Sequence, residues 1–108
     1  MGFKFVDANI LLRYILNDNK EQAEFTEKII EAREAYVLPE IFAEVVYVLT
    51  KVYKKDRKEV ASYLLKLLKI LVVEDPNLIS KTLSIFAETH LDFVDAFFPR
   101  MQFFIKKK

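Results

Sequence analysis

Four acidic residues stand where carboxylates are out of place. Asp7 ends the apolar run "GFKFV" just as the pattern changes from strand-like to helical, Glu44 is the one charged residue between Ile41 and Leu49 in "IFAEVVYVL", and Asp92 and Asp95 lie one helical turn apart in "HLDFVDAFF". An ionised carboxylate buried without a partner carries a penalty of several kcal/mol, so Glu44 needs a cation, a proton or a rim position. Gathered at ~4 Å, like charges repel by about 4 kcal/mol per pair at an effective dielectric near 20. A cluster of Asp7, Glu44 and Asp95 therefore persists only around a cation. Hard carboxylate oxygens without His or Cys select Mg²⁺ or Mn²⁺.

Each acid also has a plainer reading. Asp7 is placed to cap a helix starting near Asn9, Asp92 and Asp95 have the spacing of a capping box, and Glu44 is open to solvation or pairing with a lysine. The run around Glu44 is apolar all round, which argues against solvent exposure for much of that helix.

The elements that must bring these acids together follow from the periodicity. Phe3, Phe5 and Val6 suit a short buried strand, and Ile10, Leu11, Tyr14 and Ile15 a helical face. "NDNKEQAEFTEKIIEAREA" offers caps at Asn17 to Asn19, then Phe25, Ile29 and Ile30 on one face of a second helix. "AYVLPE" is a β-prone run closed by Pro39, which suits the first position of the next helix. Val60, Leu64, Leu67 and Leu71 make one face of an amphipathic helix, with Glu59, Ser62, Lys66 and Lys69 opposite. "ILVVEDPNLISKTLSIFAE" repeats the strand-to-helix step, with Asp75 as N-cap, Pro76 opening the helix, and Ile79, Leu83 and Phe86 facing inward. Alternating strands and helices predict an α/β fold with a parallel sheet covered by helices, and ligands in such folds bind at the carboxyl ends of strands, where Asp7 lies.

The totals narrow the choice. A chain of 108 residues, 53% hydrophobic, supports a single domain over 1–108. Lys and Arg number 17 against 16 Asp and Glu, so no global field attracts polyanions. The absence of cysteine excludes disulfides, thiolate metal sites and thiol nucleophiles, and the single glycine, Gly2, excludes a glycine-rich phosphate loop. No apolar run approaches the ~20 residues of a membrane span, and "MGFKF" lacks the apolar core of a signal peptide. A cytoplasmic protein is expected.

In order and spacing, "FVDANILLRYIL", "LPEIFAEVVYVL" and "DFVDAFF" resemble the PIN-domain ribonucleases, and within them the VapC-type toxins of toxin–antitoxin pairs, over roughly residues 3 to 97. The resemblance implies a three-layer α/β/α fold around a central parallel sheet, with Asp7, Glu44 and Asp95 as catalytic and metal-binding acids. It also implies that Asn9 orients the first of them and Asp92 is an auxiliary acid. The implied activity is Mg²⁺- or Mn²⁺-dependent cleavage of RNA, in which metal-activated water attacks in line and no side-chain nucleophile is needed. The implied partners are an RNA substrate, a small antitoxin and a second copy of the chain in a homodimer. His90 is better placed in the turn before the last helix than as a base.

Past the Asp-Ala pair the chain departs from the family pattern. Residues 98–108 form a divergent basic tail within "FFPRMQFFIKKK"; Pro99 stops the helix, no acid follows Asp95, and the family's last acid and sheet edge are missing. The abrupt change after Phe97 is expected if a frameshift or early stop shortened the gene, and the other reading frames would reveal it; alternatively "FFI" forms a makeshift strand. The missing acid makes room for a second reading, a catalytically weakened PIN-like domain that binds an antitoxin or a homologous partner. A phospho-receiver domain also collects acids at strand ends, but "VVEDP" lacks its downstream Thr and Lys pattern. The basic cluster "KVYKKDRK" and Lys106 to Lys108 suit weak phosphate contact, although such charge runs are usually solvated surface.

Overall fold

Local chemistry sets the helix boundaries. The computed structural model describes residues 2–89 and Phe93. Strand β1 (Lys4–Phe5) leads into α1 (Ala8–Leu16) and α2 (Lys20–Glu31); β2 (Ala35–Tyr36) then leads into α3 (Pro39–Tyr47), a π-helical turn (Val48–Val52), α4 (Arg57–Leu68) and α5 (Pro76–Glu88). Asn19, Asp56 and Asp75 accept the N–H of Gln22, Glu59 and Leu78, which satisfies donors that the first helical turn leaves unpaired. Pro39 and Pro76 occupy first-turn positions where a missing N–H is harmless. Asn17 closes α1 in the left-handed region, with its N–H donating to the Arg13 carbonyl.

The expected parallel pairing is present, in a small sheet. Lys4 lies opposite Ala35 and Phe5 opposite Tyr36, and a parallel bridge joins Tyr36 to Val72. Val72 is held by its N–H to the Ala35 carbonyl at 2.8 Å and by its own carbonyl to the Val37 N–H at 3.0 Å. β2 thus sits between β1 and Val72, and Ala35 and Val37 are fully buried.

The core is built mainly by helices. α1 packs on α2 and α3, and α4 packs on α5. Leu11, Phe42, Val45, Leu64, Ile79 and Leu83 have no exposed surface, and each such side chain contributes about 1.5–3 kcal/mol. Val60, Leu64, Leu67 and Leu71 face inward as expected, as do Ile79, Leu83 and Phe86. No helix among the described residues is long and apolar enough to cross a membrane.

Two expectations about burial are corrected. Phe3 and Phe5 are 63% and 72% exposed rather than part of a buried strand. β1 is only two residues long and pairs with β2 at the end of the sheet order, so among the described residues these rings meet chiefly Tyr36, at 6.0 and 5.2 Å between centroids. In α2 the inward position beside Ile29 and Ile30 belongs to Thr26, not to Phe25, which is exposed. The Thr26 hydroxyl meets the requirement of burial by donating to the Gln22 carbonyl at 2.9 Å.

Candidate active site

Asp7 follows the last residue anchored to the sheet. Val6 is buried and donates its N–H to the Tyr36 carbonyl at 3.0 Å, which fixes where the chain leaves β1. Asp7 then takes extended backbone angles as the N-cap of α1, and its Oδ1 accepts the Ile10 N–H at 2.8 Å. The capping reading is therefore correct. It engages one oxygen of an exposed carboxylate and leaves Oδ2 without a hydrogen bond among the described residues. Asn9, two residues on, is exposed in the first turn of α1.

Glu44 comes from the middle of α3. Phe42, Val45 and Val46 turn toward the core, while Glu40, Glu44 and Tyr47 form an exposed strip at helical spacing. The expectation that this helix is largely shielded is corrected: Glu44 sits at the rim, one of the three ways its charge can be accommodated. The sequence conceals this because tyrosine counts as apolar yet Tyr47 presents its ring to water, so only part of the run faces the core.

The packing of α1 on α3 brings the two acids to one place. Asp7, Ala8, Asn9, Leu12, Glu44 and Val48 line an open hollow of about 310 Å³. Ala8 and Leu12 come from the inner side of α1 and Val48 from the first position after α3, so polar groups from both elements stand over an apolar wall. Ala8, Leu12 and Val48 were not singled out from sequence, although Val48 lies one helical turn beyond Glu44 and was accessible to that argument. Asp92, Asp95 and His90 lie outside the described residues. Among the described residues no three of His, Cys, Asp or Glu converge as a metal site.

The two acids that do converge have the right chemistry for a small hard cation. Mg²⁺ is typically held by one or two carboxylates together with waters and substrate phosphates, and two exposed carboxylates beside an Asn amide fit that description. Among the described residues no cysteine or histidine, the ligands of softer metals, lines the hollow.

The sequence profile of the PIN domain matches residues 4–98. No curated protein and no solved structure matches the chain significantly. The matched stretch starts at β1 and runs through both elements that carry Asp7 and Glu44, so the hollow lies wholly within it. The chain belongs to the PIN domain family.

Proposed function

We propose that this protein is a Mg²⁺- or Mn²⁺-dependent endoribonuclease and the toxin of a VapBC-type toxin–antitoxin pair. The observation that carries the reading is the meeting of Asp7, Asn9 and Glu44 in one hollow of a PIN domain. Asp7 through its uncommitted Oδ2, Glu44 and, from the following segment, Asp95 would hold the cation, with Asp92 as an auxiliary acid. When bound, the cation supplies a nucleophilic water near neutral pH and charge stabilisation at the phosphate. The chain's own part is to orient: the cap bond to Ile10 fixes the Asp7 carboxylate, and Asn9 offers an amide for the same region. Glu44 is presented at the rim by a helix anchored through Phe42 and Val45.

The same reading carries the three-layer α/β/α arrangement of the complete domain, a small antitoxin that covers the acidic hollow, and a homodimer. A second reading, a weakened domain that works by binding a partner, is motivated by the divergence of residues 98–108 from the family pattern, a stretch that carries no acid.

Calorimetric titration of Mn²⁺ into the protein, beside Asp7→Asn and Glu44→Gln, separates them. The nuclease reading expects binding by the parent, marked weakening in both variants, and RNA cleavage that follows the same order. An absence of Mn²⁺ binding in the parent would transfer the case to the partner-binding reading.

A further inference from the structure

The strip that begins at Glu44 does not end with α3. Tyr47 and Lys51 follow at roughly one-turn intervals, and the chain then turns a corner at Tyr53, Lys54 and Lys55. Tyr47 is 61% exposed and Tyr53 44% exposed. All three lysines are exposed, and none is in an ion pair among the described residues. From Tyr47 to Lys55 the sequence holds three lysines and no acid.

The corner is held by several hydrogen bonds. The Thr50 hydroxyl donates to the Val46 carbonyl at 2.7 Å, the acceptor that an α-helix reserves for the Thr50 N–H, and the ladder widens into the π turn at this point. Tyr53 N–H then reaches back to Val48 at 3.0 Å and Lys55 N–H to Leu49 at 2.9 Å, around a left-handed Lys54. These bonds hold Tyr53, Lys54 and Lys55 on a fixed turn. Wide turns of this kind are frequently found at functional sites.

This strip starts at the hollow that contains the acids, since Glu44 lines that hollow and shares its exposed face with Tyr47 and Lys51. Val48 lines that hollow with Leu12, while the adjoining Leu49 and Lys55 line a second one with Ile15 and Leu16, one turn further along α1. A ligand extending from Glu44 along the exposed strip of α3 and the turn beyond it would therefore meet Tyr47 and Lys51, with Lys55 at the second hollow beside Glu59. Cationic side chains interleaved with exposed aromatic rings are the recognition chemistry of unpaired nucleic acid: the charges track phosphates, and bases stack on the rings without sequence preference.

We propose that Tyr47, Lys51, Tyr53, Lys54 and Lys55 form a platform for an unpaired RNA strand flanking the scissile bond. The inference rests on the nuclease reading for the position of that bond, but strand binding itself does not require cleavage. The two are therefore separable.

The test is fluorescence anisotropy with a short labelled oligouridylate in EDTA, repeated at several salt concentrations, alongside a cleavage assay in Mn²⁺. Tyr47→Leu is expected to weaken binding by about 5-fold or more, with Tyr47→Phe near the parent because it retains the ring. Replacing Lys51, Lys54 and Lys55 together with Gln is expected to lower the salt dependence of log Kd by about 2. Binding without cleavage by the parent would defeat the nuclease reading yet support the platform. Cleavage by the parent with unchanged binding in all the variants would do the reverse. Failure of the parent to bind, equal affinity for a duplex, or a change in oligomeric state by light scattering in the lysine variant would each overturn the platform, the last by marking the surface as a protein interface.

Discussion

The guanidinium of Arg57 stands 3.8 Å from the ring centroid of Phe86 and donates from Nη2 to the carbonyl of the same residue at 2.8 Å. One side chain at the start of α4 thus covers an aromatic face and supplies a donor to the final turn of α5, where carbonyls lack helical partners. A cation is also favoured there by the helix dipole. Arg57→Leu is expected to cost about 1–3 kcal/mol, measured by denaturant unfolding, with Arg57→Lys intermediate because it retains charge without the planar fork. The corresponding drop in Tm is about 4–8 °C per kcal/mol for a domain of this size.

Asp7 has a structural and a proposed chemical role, and two substitutions separate them. Asparagine caps a helix as well as aspartate, so Asp7→Asn should unfold at the same denaturant concentration as the parent while losing Mn²⁺ affinity and RNA cleavage. Asp7→Ala should lose the same functions and also about 0.5–2 kcal/mol of stability. If Asp7→Asn retains full cleavage, Asp7 is only a cap.

Alkaline conditions should destabilise the protein through two phenols. Burial raises the Tyr14 hydroxyl above the ordinary 10.0, with the negative charges of Glu27 and Glu31 adding to it, and burial also raises Tyr63, helped by Tyr14. The unfolded chain releases these protons near 10 while the folded chain retains them, so their contribution is complete below pH 10 and is lost as pH rises through the folded values. A scan of Tm against pH should fall above 10, and Tyr14→Phe should flatten it. Tyrosinate absorbance titrating entirely at the ordinary value would rule this out.

Left-handed backbone at ordinary residues offers a route to higher stability. Lys54 has φ of 56°, a conformation that costs a residue with a Cβ about 1–2 kcal/mol relative to glycine, before glycine's own greater entropy loss is counted. Lys54→Gly should gain about 0.5–1 kcal/mol in thermal or denaturant unfolding. Arg33, at φ of 59°, should gain less because its guanidinium donates to the Lys69 carbonyl at 3.0 Å. Asn17→Gly should change little, since asparagine already tolerates this region.

Helices were legible in the sequence where repetition and punctuation agreed. Asp75 followed by Pro76, with Ile79, Leu83 and Phe86 beyond, specified both the start and the inward face of α5. The sheet was less legible because a two-residue strand is shorter than the alternation needed to reveal which face is buried, and hydrophobicity alone places Phe3 and Phe5 inward. The π turn left no periodic mark, since the Thr50 hydroxyl bond that accompanies it also occurs in regular helix at Thr26 and Thr82. For the candidate site, Asp7 and Glu44 were identifiable as misplaced charges, but their meeting depends on the packing of α1 on α3, which separate runs of sequence do not encode individually.

The widened turn at Val48–Val52 also constrains how the chain can vary. Loss of one residue there would return the ladder to ordinary helical pitch with α4 still in phase, since five residues of a wide turn sweep about the same angle as four of an α-helix, whereas loss of a residue from the regular turns of α3 would rotate everything downstream by about 100°. Substitutions at the exposed positions of this segment leave that phase intact. Over evolutionary time, a change of one residue in length should accordingly be tolerated in this segment, and in the surface turn between α1 and α2, more readily than inside α3.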